Sequence, residues 1–161
     1  MADNRNELAM LLSMIDHSYR KQAWHGPNLR GSLRGVTAEQ ALWRPAPARH
    51  CIWEITVHTA YWKYAVRRRL RGETKGSFPL KGSNWFSVPA VLEDKAWRAD
   101  LAILEQEHLK LRQAIEELPP NQLFKLSPGS KHKNVTLIWG IASHDIYHAG
   151  QIQLLKRLQK C

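Results

Sequence analysis

Two histidines four residues apart, His144 and His148, occupy positions where a helical stripe calls for apolar residues. A spacing of four puts both rings on one helix face, one turn apart, as two ligands of one ion require. A third histidine, His58, interrupts the stripe Ile55, His58, Trp62, Ala65 in an earlier segment. A polar ring is costly to bury without a partner, so histidines in such positions are hydrogen-bonded or metal-bound. Three imidazoles suit zinc, nickel, iron(II), copper or manganese, with zinc the simplest choice. Being neutral, they leave the ion its double charge and at least one open position for water or substrate, the catalytic rather than the structural arrangement. The motif is not the zincin H-E-x-x-H, because Asp145 stands where the glutamate belongs.

The elements that must position these rings are four amphipathic segments joined by Gly- and Pro-containing loops. The first runs from about Asn4 to Ala23, with Leu8, Leu11, Leu12, Ile15 and Tyr19 at spacings of three and four and Asn4 and Glu7 spaced like a capping box. A long connection from Trp24 to Arg49 follows, with a short helical turn expected at Thr37 to Gln40. The second helix covers roughly His50 to Arg71 and ends before Gly72. The third, from about Pro89 to Leu118, carries the seam Trp97, Leu101, Leu104, His108, Leu111, Ile115, Leu118 and stops at Pro119-Pro120. The fourth runs from about Thr136 to Gln159 with the stripe Leu137, Ile141, His144, His148, Ile152, Leu155, Leu158. No segment alternates with period two. The expectation is a single all-α domain over residues 1–161, an antiparallel four-helix bundle close to up-and-down, with a long connection between its first two helices.

In an up-and-down bundle the second and fourth helices run parallel. His58 then lies about eight residues into its helix and His144 and His148 about eight and twelve into theirs, so at ~1.5 Å per residue all three share a layer. Counted from the other end of the third helix, His108 falls in the same layer. Three readings stand for it: a fourth ligand, a proton donor beside the metal, or a hydrogen-bonded core residue. His25, in the loop Trp24-His-Gly-Pro27, is either a general acid or base reaching over the bundle mouth or a surface histidine. Asp145 points off the stripe and is expected near the ligands' outer side or at the surface. Gln151 is placed to hydrogen-bond a ligand ring or simply to pack. Gly150 suggests close packing. Trp62 is a candidate wall of the metal pocket, and Trp85 with Phe86 a lid or a hydrophobic plug.

The formal net charge is +10, which nucleic acid, an anionic membrane surface or an acidic small molecule would each exploit. The basic residues fall mainly at helix ends and loops: Arg67, Arg68, Arg69 and Arg71, then Lys131, Lys133, Lys156, Arg157 and Lys160. They lack the interleaved aromatics of a single-strand platform, and no helix-turn-helix or zinc-finger spacing occurs. Nucleic acid is therefore not the expected partner. The longest apolar run falls short of a membrane span and the first residues lack a signal-peptide layout, so a soluble, cytoplasmic protein is expected. Cys51 and Cys161 are the only cysteines, and no structural disulfide is expected between them.

Trp43-Arg-Pro-Ala-Pro47, Ile52-Trp-Glu54 with His58 four residues on, and His144-Asp-Ile-Tyr-His-Ala-Gly-Gln-Ile152 together resemble the DinB/YfiT-like superfamily of metalloenzymes, over nearly the whole chain. The resemblance implies a four-helix bundle of mirrored handedness and metal ligands at His58, His144 and His148. It further implies nickel or zinc as the metal and often a homodimer. Characterised members include transferases and isomerases dependent on low-molecular-weight thiols, in which the metal activates a thiolate. The expected function is a small metal-dependent hydrolase or thiol-dependent transferase acting on an anionic or thiol small molecule, with His25 or His108 managing the proton. The other reading is a non-catalytic metal-binding module, stress-linked or nucleic-acid-associated, whose charge serves a partner.

Overall fold

The computed structural model describes residues 4–89 and 92–160. Residues 90 and 91, within the span expected for the third helix, and Cys161 lie outside them. Among the described residues the structure is helical, with no β-strand and only two isolated bridges. Four long helices dominate: α1 (Arg5–Tyr19), α4 (Ile52–Leu70), α5 (Asp94–Glu116) and α6 (Asn134–Leu158). Two short ones, α2 (Leu29–Ser32) and α3 (Ala38–Leu42), lie in the first connection. No described helix is long and apolar enough to cross a membrane.

Local chemistry explains most of the boundaries. Thr37 and Gln40 form the expected capping box at α3. Asn28 caps α2, accepting from the Gly31 N–H. Glu54 accepts the Cys51 N–H at the start of α4, and Arg67, Arg68 and Arg69 in its last turn complement the helix dipole. Gly72, at φ 66°, turns the chain out of α4. The Asn4–Glu7 box is not formed. Asn4 makes no side-chain cap; its amide instead donates to the Pro120 carbonyl and ties the start of α1 to the turn after α5.

Helix direction departs from the up-and-down expectation. Trp53 of α4 donates to Asp100 near the start of α5, and Arg71 after α4 pairs with Glu117 after α5, so α4 and α5 run parallel. Tyr19 reaches Glu105 while Asp16 pairs with Arg112, so α1 opposes α5. Val66 and Leu70 cluster with Leu137 and Ile138, and Ile52 and Ile55 with Ile152 and Leu155, so α4 opposes α6. The order is therefore up, down, down, up. The physical reason is the connection over residues 71–93. It is long enough to return the length of α4, about 28 Å at 1.5 Å per residue, so α5 is free to start beside the start of α4.

Two apolar clusters fill the bundle. One gathers Tyr19, Trp53, Trp97, Leu104 and Ile152; the other gathers Leu11, Ile15, Val66, Leu111 and Ile138. Between them every long helix contributes buried polar side chains: Asp16 and Ser18, His58 and Lys63, Glu107 and His108, Asp145 and His148. This belt is the layer that the depth of the histidines anticipated. It survives the reversal because His58 is the seventh of 19 residues in α4, and His144 and His148 straddle the middle of α6. Reversing a helix hardly moves its midpoint.

Candidate metal centre

The belt reaches the surface in the groove between α4 and α6, where three imidazoles converge. His144 Nε2 stands 3.1 Å from His58 Nε2 and 3.0 Å from His148 Nε2, and the three ligand atoms lie within 4.8 Å of one another. The outer nitrogens determine the tautomers. His58 Nδ1 donates to the Asn84 carbonyl at 2.8 Å, and His148 Nδ1 donates to Gln151 Oε1 at 2.6 Å. The Gln151 amide is itself oriented, since its Nε2 donates to the Tyr147 hydroxyl at 3.1 Å. His58 and His148 therefore each turn a bare lone pair inward at Nε2.

That leaves at most one hydrogen, on His144, for three nitrogens in contact. Protonation would relieve the crowding of lone pairs, but the surroundings oppose it. Burial lowers His58. Burial, then the neighbouring His148 and His58, bring His144 down to about 3. Burial, then His58, bring His148 down to about 4 despite the Gln151 bond. A cation other than a proton satisfies this donor set. Two imidazole nitrogens each about 2.0–2.1 Å from one ion stand roughly 3 Å apart, as His144 Nε2 does from each of the other two. The trio fits a divalent metal ion.

Aromatic rings wall the site. Trp85 stacks on His58 with centroids 3.9 Å apart and on His50 at 3.6 Å. Trp62 lies edge-on to His58 and to His144, at 6.4 Å from each, and its Nε1 donates to Asn84 Oδ1. Asn84 thus serves the site through both of its oxygens, in a left-handed conformation at φ 61° that asparagine tolerates better than most residues. Phe86 does the other job expected of this loop: it is buried against Tyr61 and Phe78 as a plug. Farther out, Arg44 grips Glu54 with two bonds of 2.7 Å, and Glu54 meets His50 Nδ1 at 3.1 Å. Burial alone would raise Glu54. Arg44, the Cys51 N–H and His50 outweigh it and hold the carboxyl at about 2. The Trp43-Arg-Pro segment thereby fixes His50, against which Trp85 stacks.

The structure does not bring the other two singled-out histidines to the trio. His25 is exposed and faces Ile146, Gly150 and Arg157, on the side of α6 away from His144 and His148. His108 is in the belt, but its ring stacks on Tyr19 at 3.7 Å and neither nitrogen has a hydrogen-bond partner. Burial, followed by the charges of Lys63, Arg20 and Arg112, lowers it to about 2. Asp145 is neither on the surface nor against a ligand ring. It is fully buried and ion-paired with Lys63, itself fully buried, and burial pushes the acid up and the amine down. The side of α6 behind the histidines faces the bundle interior, which is why its charged residue needs a charged partner. Gly150 does not mediate close packing either: a Cβ there would meet nothing within 4 Å.

From His144 a cavity of about 380 Å³ extends between α4 and α6, lined by Trp62, Val66, Arg69, Leu137, Gly140 and Ile141. A larger hollow of about 1210 Å³ lies between Tyr19, Asn28, Arg34 and Glu105, and none of the three histidines lines it.

With this geometry in view, the match of residues 22–152 to the DinB superfamily is decisive. The chain belongs to the DinB superfamily. The matched span holds all three histidines, the Asn84 loop and Gln151. No match to a curated protein or to a solved structure was found. Two parts of this site were not legible in the sequence. Asn84 acts on His58 through a backbone carbonyl, which no residue type advertises. His132, in the loop before α6, lines the same cavity as His144.

Proposed function

We propose that this DinB protein is a small metal-dependent enzyme, a hydrolase or a low-molecular-weight-thiol-dependent transferase, with His58, His144 and His148 as its metal ligands. The observation that supports the reading is the convergence of three neutral imidazoles at the end of an apolar cavity. A divalent ion there, zinc or nickel before iron or manganese, is a Lewis acid that lowers the pKa of a bound water or thiol and so provides a nucleophile near neutral pH.

The chain's own residues prepare that chemistry. Asn84 and Gln151 hold two rings in the tautomer that presents Nε2. Trp85 and Trp62 keep bulk water from one side, which strengthens every charge interaction inside. The cavity seats a substrate beside His144. The net charge of +10 draws anionic substrates or thiolates toward the chain. His25 and His108 have no part in this scheme, the first because of where it lies and the second because of its enclosure. The test is a screen of metal-reconstituted protein against esters, phosphoesters and electrophiles supplied with small thiols. Turnover by the wild type that disappears in His148→Ala supports the proposal. Absence of turnover in both, with the metal bound, leaves the non-catalytic binding module.

A further inference from the structure

The cavity beside His144 has a chemical character of its own. Its walls are Trp62 and Val66 from α4 and Leu137, Gly140 and Ile141 from α6. Its volume, about 380 Å³, falls within the range of small-molecule sites. At the end away from His144 stands Arg69, and His132, just before α6, lines the cavity too. The neighbouring arginines are all engaged: Arg67 with Glu73 and Glu107, Arg68 with the Glu73 carbonyl and the Tyr64 ring, Arg71 with Glu117. The Arg69 guanidinium has no carboxylate, carbonyl or ring partner among the described residues. Thr136, in the first turn of α6, lines the same end, so the positive end of that helix dipole adds to the arginine.

Gly140 is the second observation. It lies in the interior of α6, where glycine is about 1 kcal/mol worse than alanine. No packing reason offsets that, because a Cβ at this position would meet nothing within 4 Å. The open space it faces is the cavity. Along α4, Trp62 and Arg69 are seven residues apart, roughly 10 Å at 1.5 Å per residue.

We infer that this cavity binds a small amphipathic anion, with an apolar body about 10 Å long between Trp62, Val66, Leu137 and Ile141 and its carboxylate on Arg69. The assignment deepens the proposed function. It rests on the metal reading for which end of the molecule reacts, the end at His144, and does not need that reading for binding itself. A charge-assisted bond to a guanidinium is worth enough to set the ligand's direction.

Decanoate is a suitable test ligand, followed by isothermal titration and by the fluorescence of Trp62 and Trp139, which both line the cavity. Decanol supplies the body without the charge, and acetate the charge without the body. Each titration is run on apo and metal-loaded protein, with metal content measured on the same samples. The expected result is one decanoate per chain, with decanol and acetate each weaker by about tenfold or more. Arg69→Gln should bring decanoate to the level of decanol. Gly140→Leu should block both long ligands while helix content and metal content stay as in the wild type; Gly140→Ala, a smaller filler, checks that the helix accepts a side chain there. Decanoate binding that is absent, or that ignores both Arg69→Gln and Gly140→Leu, overturns the inference. So does binding that needs the metal and is lost only in His148→Ala, because the carboxylate would then be seated on the ion. Decanoate binding to a chain that takes up no metal would sink the metal reading and leave the cavity assignment standing.

Discussion

At the scale of single residues, two of the three histidines are set by what holds their far nitrogens. Gln151 fixes His148 through Nδ1 and Asn84 fixes His58; His144 Nδ1 is buried without a partner and is oriented by its neighbours alone. Gln151→Leu removes one anchor and leaves the trio intact. Its metal affinity, measured by competition with a chelating dye, should fall about 10- to 100-fold, with little change in melting temperature. An unchanged affinity would mean that the amide merely packs. His108 offers a contrasting case. Its ring is neutral in the fold, with a pKa of about 2 against 6.5 for an ordinary histidine, so unfolding lets it take up a proton below pH 6.5. Its contribution to stability is whole above pH 6.5 and is lost as the pH falls below it, by up to about 1.4 kcal/mol per pH unit. His108→Leu removes that dependence. Denaturant melts of metal-free wild type and variant should run within about 1 kcal/mol of each other at pH 8. Between pH 6.5 and roughly 4.5 they should then separate in the variant's favour. Parallel pH profiles would show that the ring titrates normally.

At the scale of elements, the belt between the two apolar clusters sets the geometry. Lys63 and Asp145 join α4 to α6 on the interior side of the same two helices that carry the trio. Removing one partner strands the other charge in a dry core. Lys63→Met should therefore destabilise the fold by about 3–5 kcal/mol, and Lys63→Met with Asp145→Leu should recover most of the loss. Urea melts of the two variants decide it. If the single variant is as stable as the wild type, the acid is protonated in the fold and the pair is not ionic. The elements also show what was legible in the sequence and why. Stripe spacing located all four long helices, and the capping box at Thr37 located α3, because those signals are local. The histidine layer was legible because the rings sit near helix midpoints. Helix direction was not, since a connection as long as residues 71–93 is compatible with either sense. The interior pairing of Asp145 was not legible because a charged residue beside a stripe reads as solvent-facing until the opposite face of the helix is known to be covered.

At the scale of the whole molecule, a bundle with two dry clusters and one polar belt carries its site where the belt meets the surface. The net charge of +10 acts at this scale, and the proposed anion contact at Arg69 acts within one cavity. The central claim is simpler than either: three imidazoles with at most one hydrogen among their inward nitrogens form a donor set that fits a divalent cation. Elemental analysis of protein purified without a metal-affinity tag tests it most directly. The expected result is about one zinc, nickel, iron or manganese ion per chain, lost in His144→Ala and restored to the stripped wild type by added zinc or nickel. Less than about a tenth of an ion per chain, unrestored by either metal, would contradict it.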